Sequence, residues 1–99
     1  MSEFLSRLIV EEMAEERWIL HAPLVYRSNV ANKTFLVPTG FITDFASVPR
    51  LPLVYLLTGD TAHMAAVVHD WLYASKEVSR EMADKVLREA MEVTGISAW

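Results

Sequence analysis

The sequence predicts an α+β domain: a small antiparallel β-sheet built from hairpins in the N-terminal half, followed by two antiparallel α-helices packed on it. Two observations carry that expectation. Up to about residue 52 the apolar residues stand in short β-type runs punctuated by Pro23, Pro38 and Gly40. Beyond that point they recur at helical spacing between residues suited to helix ends. With 99 residues and 53% hydrophobic content, the chain has the length of one domain and enough apolar surface for one continuous core, so a single domain over 1–99 is expected.

Taken in order, residues 3–16 fit two patterns: Leu5, Leu8, Ile9 and Met13 fall at helical spacing, whereas Leu8-Ile9-Val10 reads as strand. Arg17 to His21 and Leu24 to Arg27 read as strands on either side of Pro23. Asn29 to Asn32 suits a hairpin loop into a strand over Lys33 to Val37. Pro38-Thr39-Gly40 reads as a turn, since proline presets one dihedral and glycine tolerates the exit. A helix is expected from about Thr61 to Ala74, after the break at Gly59-Asp60. Its Ala62, Ala65, Ala66, His69, Leu72 and Tyr73 share one face. Ser79 is placed to cap a second helix running to about Thr94, with Met82, Ala83, Val86, Leu87, Ala90 and Met91 as its apolar stripe and Gly95 as its end.

Composition narrows the function classes. Without cysteine there is no disulfide framework and no thiolate metal site, which suits a reducing compartment and synthesis in the cytoplasm. The first dozen residues are too acidic and their apolar core too short for a secretory signal. The longest apolar run, Leu51 to Leu57, falls far below the roughly 20 residues needed to cross a bilayer, so a soluble protein is expected. A net charge of −4 with scattered basic residues leaves no electrostatic footprint for DNA or RNA.

The chemistry concentrates in His69-Asp70-Trp71-Leu72-Tyr73, where the best proton-transfer group of the chain sits beside a carboxylate in an apolar stretch. Neighbouring helical residues point about 100° apart, so His69 and Asp70 face different directions. Two segments could supply partners: Phe41 to Arg50, which carries Thr43, Asp44 and Ser47, and Arg80 to Asp84. Asp44 is the first candidate for the carboxylate that holds His69, because an extended Phe41 to Ser47 puts it on the face of Ile42 and Ala46, where an unpaired carboxylate is costly to bury. Asp84, between Arg80 and Arg88, is the second. Arg80 lies nearer the apolar stripe and is positioned to turn inward toward Asp44 or Asp70.

Three readings of these residues stand side by side. Asp44, His69, Asp70, Arg80 and Asp84 could form a satisfied polar network that only holds the fold. They could form a hydrolytic site in which His69 is a base or shares a divalent metal, calcium or another, with Asp70. They could also line a ligand or partner pocket. Ser47 follows no Gly-x-Ser-x-Gly elbow and reads as a turn or cap hydroxyl. His63 lies two turns from Asp70, roughly 10 Å along the axis, too far for easy co-ligation. His21 reads as an edge residue.

These motifs resemble a family of small uncharacterised proteins of tailed phages and prophages, with the signature Val-Pro-x-Gly-Phe-x-Thr-Asp-Phe-Ala-Ser-Val-Pro-Arg, then Ala-x-x-x-His-Asp-x-Leu-Tyr, then Arg-x-x-Ala-Asp. Here they are Val37 to Arg50, Ala65 to Tyr73 and Arg80 to Asp84. The resemblance implies a phage or prophage origin, with action in the host cytoplasm or within a virion and a phage or host protein as partner; association with a second copy is an expectation from so apolar a small domain. It brings no reaction with it.

His-Asp-x-x-Tyr followed by a helix carrying Asp is also similar to the phospholipase A2 core. That likeness implies His69 as the base that activates water, Asp70 as a calcium ligand and Asp84 as the carboxylate that orients His69. The chain departs from that core in two ways: Val37 to Phe41 holds only one glycine where a glycine-rich calcium loop would stand, and no disulfide pins the helices. The helical His-Asp phosphohydrolases share the His-Asp pair but are all-helical, unlike the β-rich first half here, and rank last. The leading expectation is a small phage hydrolase centred on His69 and Asp70. The runner-up is a non-catalytic virion, tail-assembly or host-interaction protein with the same residues as scaffold.

Overall fold

The computed structural model describes residues 2–14, 17–44 and 60–93. Among the described residues six strands precede two helices: β1 (Glu3–Phe4), β2 (Val10–Ala14), β3 (Arg17–Leu20), β4 (Leu24–Ser28), β5 (Lys33–Val37), β6 (Ile42–Thr43), α1 (Asp60–Ser75) and α2 (Arg80–Val93). This is the expected α+β class. The strands form two antiparallel sheets, ordered β1-β4-β5 and β2-β3-β6, where a single small sheet was expected. The ambiguity over residues 3–16 resolves as strand: β1 pairs with β4, and β2 pairs with β3 with a register shift between Glu12 and Ala14. Helical spacing in so short a stretch carries little weight once two neighbouring strands can accept its backbone hydrogen bonds.

The β4–β5 hairpin forms as its pattern demands. Leu24 faces Val37, Tyr26 faces Phe35 and Ser28 faces Lys33. Leu24, Tyr26, Ser28, Phe35 and Val37 are buried, while Arg27, Thr34 and Leu36 are exposed, the period-two alternation of a sheet with one covered face. Asn32 takes a left-handed φ of 54° at the hairpin tip, a conformation asparagine tolerates. Pro38 to Gly40 makes the expected turn: the Phe41 amide donates to the Pro38 carbonyl at 3.2 Å, and Gly40 has φ 91°. That turn delivers β6 to β3, where Trp18 faces Thr43.

Both helices pack on the β1-β4-β5 sheet. In α2 the stripe runs as predicted, with Ala83, Val86, Leu87, Ala90 and Met91 buried and Met82 at its edge, and the Ser79 hydroxyl accepts from the Met82 amide at 3.1 Å as the N-cap. In α1 burial exceeds one face: every residue from Ala65 to His69 is buried, as is Leu72. Val67 and Val68 were not in the predicted stripe. A helix covered on most sides cannot be read from a single apolar face. The expected helix boundaries at Gly59, Thr94 and Gly95 and the apolar run Leu51 to Leu57 lie outside the described residues. Among the described residues no helix is long and apolar enough to cross a membrane.

One carboxylate locks α2 to the sheet. Glu89 accepts hydrogen bonds from the Tyr26 hydroxyl at 2.8 Å, the Ser28 hydroxyl at 2.7 Å and the Val30 amide at 2.8 Å. Burial alone would push the Glu89 carboxyl up, but the bonds from Ser2, Ser28, Val30 and Tyr26 outweigh it and hold the group below its ordinary value. Tyr26 shifts upward in turn, through its own burial, its bond to Glu89 and the carboxylate's charge. A carboxyl depressed in the folded state adds stability above its unfolded pKa and loses it as pH falls through the folded value. Glu89→Gln should therefore cost about 1–3 kcal/mol at neutral pH, because buried donors lose a charged acceptor. Urea melts of the two proteins should converge on acidification below about pH 4, and a gap that stays constant down to pH 3 would contradict this account.

Candidate functional site

The candidate residues lie where α1 meets its neighbours, and the helix separates them onto two flanks. On the flank facing α2, His69 Nε2 lies 2.7 Å from Asp84 Oδ1, and the Tyr73 hydroxyl donates to the same oxygen at 2.9 Å. His69 and Tyr73 are one helical turn apart, so their rings meet, with centroids 4.3 Å apart. His69 is 1% exposed, whereas the Asp84 side chain is 60% exposed. The trio thus runs from the core to the surface.

The choice of Asp84 over Asp44 corrects the order in which the two carboxylates were ranked. An extended Phe41 to Ser47 was expected to put Asp44 on an inward face with Ile42 and Ala46; in the described part of that stretch Thr43 is the buried residue, and Ile42 and Asp44 are exposed. Pairing with β3 sets this parity, and a two-residue strand exposes one face or the other according to that register. Buried Thr43 instead donates its hydroxyl to Asp70 Oδ2 at 2.7 Å. Asp70 therefore sits on the opposite flank from Asp84, as the angle between adjacent helical side chains requires.

Arg80 does not turn inward to Asp44 or Asp70. Its guanidinium lies over the Tyr73 ring, 5.7 Å from the centroid, on the exposed side of α2. Ser47 lies outside the described residues. His21 is exposed, just past the end of β3, and paired with Glu11 at 2.7 Å. Trp71 packs edge-on against Phe41 at 5.3 Å and donates to Glu77 at 3.3 Å, so it serves as a wall between β6 and α1.

An open cleft of about 480 Å³ lies on the Asp70 flank, lined by Arg17, Phe41, Ile42, Thr43, Asp44, Asp70, Tyr73 and Ala74. Its walls are mainly apolar and aromatic, with two carboxylates and one guanidinium converging on them, the usual make-up of a small-molecule site. Arg17 was not among the residues singled out from the sequence. It enters the cleft because β3 pairs with β6 and brings its first residue beside Asp44. Tyr73 belongs to both flanks, lining the cleft while its hydroxyl holds Asp84. Among the described residues no three of His, Cys, Asp or Glu converge as a metal-binding group.

Residues 18–99 match the family model described as "Protein of unknown function (DUF1353)". The chain belongs to that family. The match takes in every candidate residue except Arg17. No curated protein and no solved structure matches the chain.

The Thr43 to Asp70 bond makes a measurable claim about this DUF1353 member. Because Thr43 is buried and its donor serves a carboxylate, Thr43→Val and Asp70→Asn should be non-additive in a urea-melt double-mutant cycle. The coupling expected is about 0.5–1.5 kcal/mol. Strict additivity would mean that the bond contributes nothing to stability.

Proposed function

We propose that this chain is a small hydrolase in which His69 is the general base, Asp84 orients it and Tyr73 holds Asp84. The observation that carries the reading is the pair of bonds converging on one Asp84 oxygen, 2.7 Å from His69 Nε2 and 2.9 Å from the Tyr73 hydroxyl. An ionised carboxylate only accepts, so Nε2 carries the proton in the neutral ring. The basic lone pair then belongs to Nδ1. A base oriented through its other nitrogen by a carboxylate is the arrangement hydrolytic sites use to activate water. His69 and Asp84 are the positions to which the phospholipase A2 likeness assigns the base and its orienting carboxylate, which favours an ester, with a phospholipid as the first class to test.

In that reaction His69 Nδ1 takes a proton from water as its oxygen adds to the ester carbonyl. Collapse of the tetrahedral adduct expels the alcohol oxygen, which recovers the proton from the imidazolium, leaving an acid and an alcohol. Asp84 offsets the transient positive charge on the ring. Asp70 and Asp44 are hard oxygen donors in one cleft and fit part of a calcium shell, which takes six to eight oxygens. A cation held there would polarise the carbonyl and stabilise the developing oxyanion.

A second reading is a non-catalytic phage assembly or host-interaction protein, in which the trio only bolts α1 to α2. The 1% exposure of His69 favours it. Both readings suit the phage or prophage setting that the motif resemblance supports.

Turnover of fluorogenic phospholipid and short-chain esters, with calcium or with chelator, separates them. Under the hydrolase reading, His69→Gln and Asp84→Asn keep the native circular dichroism and lose about 100-fold or more of the rate. A cation that uses Asp70 raises the melting temperature of wild type and leaves that of Asp70→Asn unmoved. A folded wild type without turnover in either condition, or turnover that His69→Gln leaves intact, moves the assignment to the scaffold reading.

A further inference from the structure

A second cleft, of about 310 Å³, opens on the other side of Tyr73 and is lined by Leu72, Tyr73, Lys76, Val78 and Arg80. Its floor is apolar: Leu72 is buried and Val78 packs against the core. Its two charges are both positive. We propose that this cleft binds a phosphate group, gripped between Lys76 and Arg80 with the Tyr73 ring as one wall.

The charge pattern around the cleft is the first support. Neighbouring carboxylates are already engaged: Glu77 with Lys33 at 4.0 Å and with Trp71, Glu81 with Lys85 at 3.5 Å, and Asp84 with His69 and Tyr73. Neither Lys76 nor Arg80 makes an ion pair with any of them. Among the described residues, a protein of net charge −4 thus leaves two cations without an ion-pair partner in one concave place. Such a pair is a site for a charge-assisted bond from an anion.

The second support is that both residues sit where local stability prefers something else. Lys76 follows the last residue of α1 with its amide bonded to the Leu72 carbonyl at 3.0 Å and a left-handed φ of 58°. Glycine or asparagine fills that position at least cost; a lysine there gains from the helix dipole but bears backbone strain. Arg80 is the first residue of α2, where the dipole favours an acid. Its stacking on Tyr73 offsets part of that. Two residues that break local rules and line the same cleft fit a ligand better than they fit folding.

The site does not depend on the hydrolytic reading, since its test measures binding directly. Amide chemical shifts are followed in a titration with inorganic phosphate and with glycerol phosphate, ionic strength being held constant with chloride. Saturable shifts confined to residues 72–80 are expected in wild type. Lys76→Asn, which suits the left-handed backbone, and Arg80→Gln should each weaken binding about tenfold or more, as the loss of one charge-assisted bond implies. The melting temperature of Lys76→Asn should equal or exceed that of wild type, which separates lost binding from lost folding.

Sedimentation with phosphatidylglycerol or phosphatidylcholine vesicles tells the two phosphate sources apart. Vesicle binding that needs both cations assigns a lipid headgroup, and its absence beside a positive titration assigns a soluble phosphate. No saturable shift, or binding that survives unchanged in either variant, overturns the proposal.

Discussion

Burying an imidazole in the middle of α1 is the constraint from which the rest of this structure follows. The run from Ala65 to His69 is covered on nearly all sides, and within it only His69 carries polar side-chain atoms. An imidazole at that depth costs several kcal/mol unless its nitrogens are bonded. Among the described residues α2 reaches it, folded back by the short link through Lys76 to Ser79. Small residues on the two helices, Ala65, Ala66, Ala83 and Ala90, are buried, and Asp84 comes within 2.7 Å of Nε2. Tyr73 completes the arrangement because it is the residue one turn beyond His69 on the same side.

α2 answers two such demands with two acids. Asp84 faces α1, and Glu89 faces the β4–β5 hairpin, where it gathers Tyr26, Ser28 and Val30. The helix is thereby pinned in rotation as well as in position, since the apolar stripe alone permits sliding and the two carboxylates do not. The difference in character between them is instructive. Glu89 is consumed by its donors Ser2, Tyr26, Ser28 and Val30 and has a structural job. Asp84 remains largely in solvent, and an exposed carboxylate gains little from an ion pair on stability grounds alone.

The hairpin, the proline-glycine turn, the Ser79 cap and the α2 stripe were legible in the sequence because each is a local signal. Turn residues, cap oxygens and a period of 3.6 act over a few positions. The association of His69 with α2 was half legible: helical spacing placed Asp84 beside the stripe, but nothing local ranked it above Asp44. That ranking depended on whether residue 43 or residue 44 faces inward, which one register choice between β3 and β6 decides. Glu89 was invisible for a related reason. Its partners lie some sixty positions away on the hairpin, and a glutamate among Arg88 and Glu92 on a helix surface carries no mark of that contact. Arg17 entered its cleft through strand pairing alone.

What the assembled structure adds is the position of Tyr73. One ring forms a wall of two clefts, its hydroxyl holds the carboxylate bound to His69, and the Arg80 guanidinium lies over it. Any group that occupies either cleft therefore presses on the same side chain. A ligand beside Arg80 that draws the guanidinium off the ring would alter the packing of Tyr73, and with it the hydrogen bond that steadies Asp84. Asp70 reports to the other side through Thr43, whose place in β6 is set by the Pro38 to Gly40 turn. The two flanks thus share one aromatic residue, although adjacent side chains on α1 point them apart.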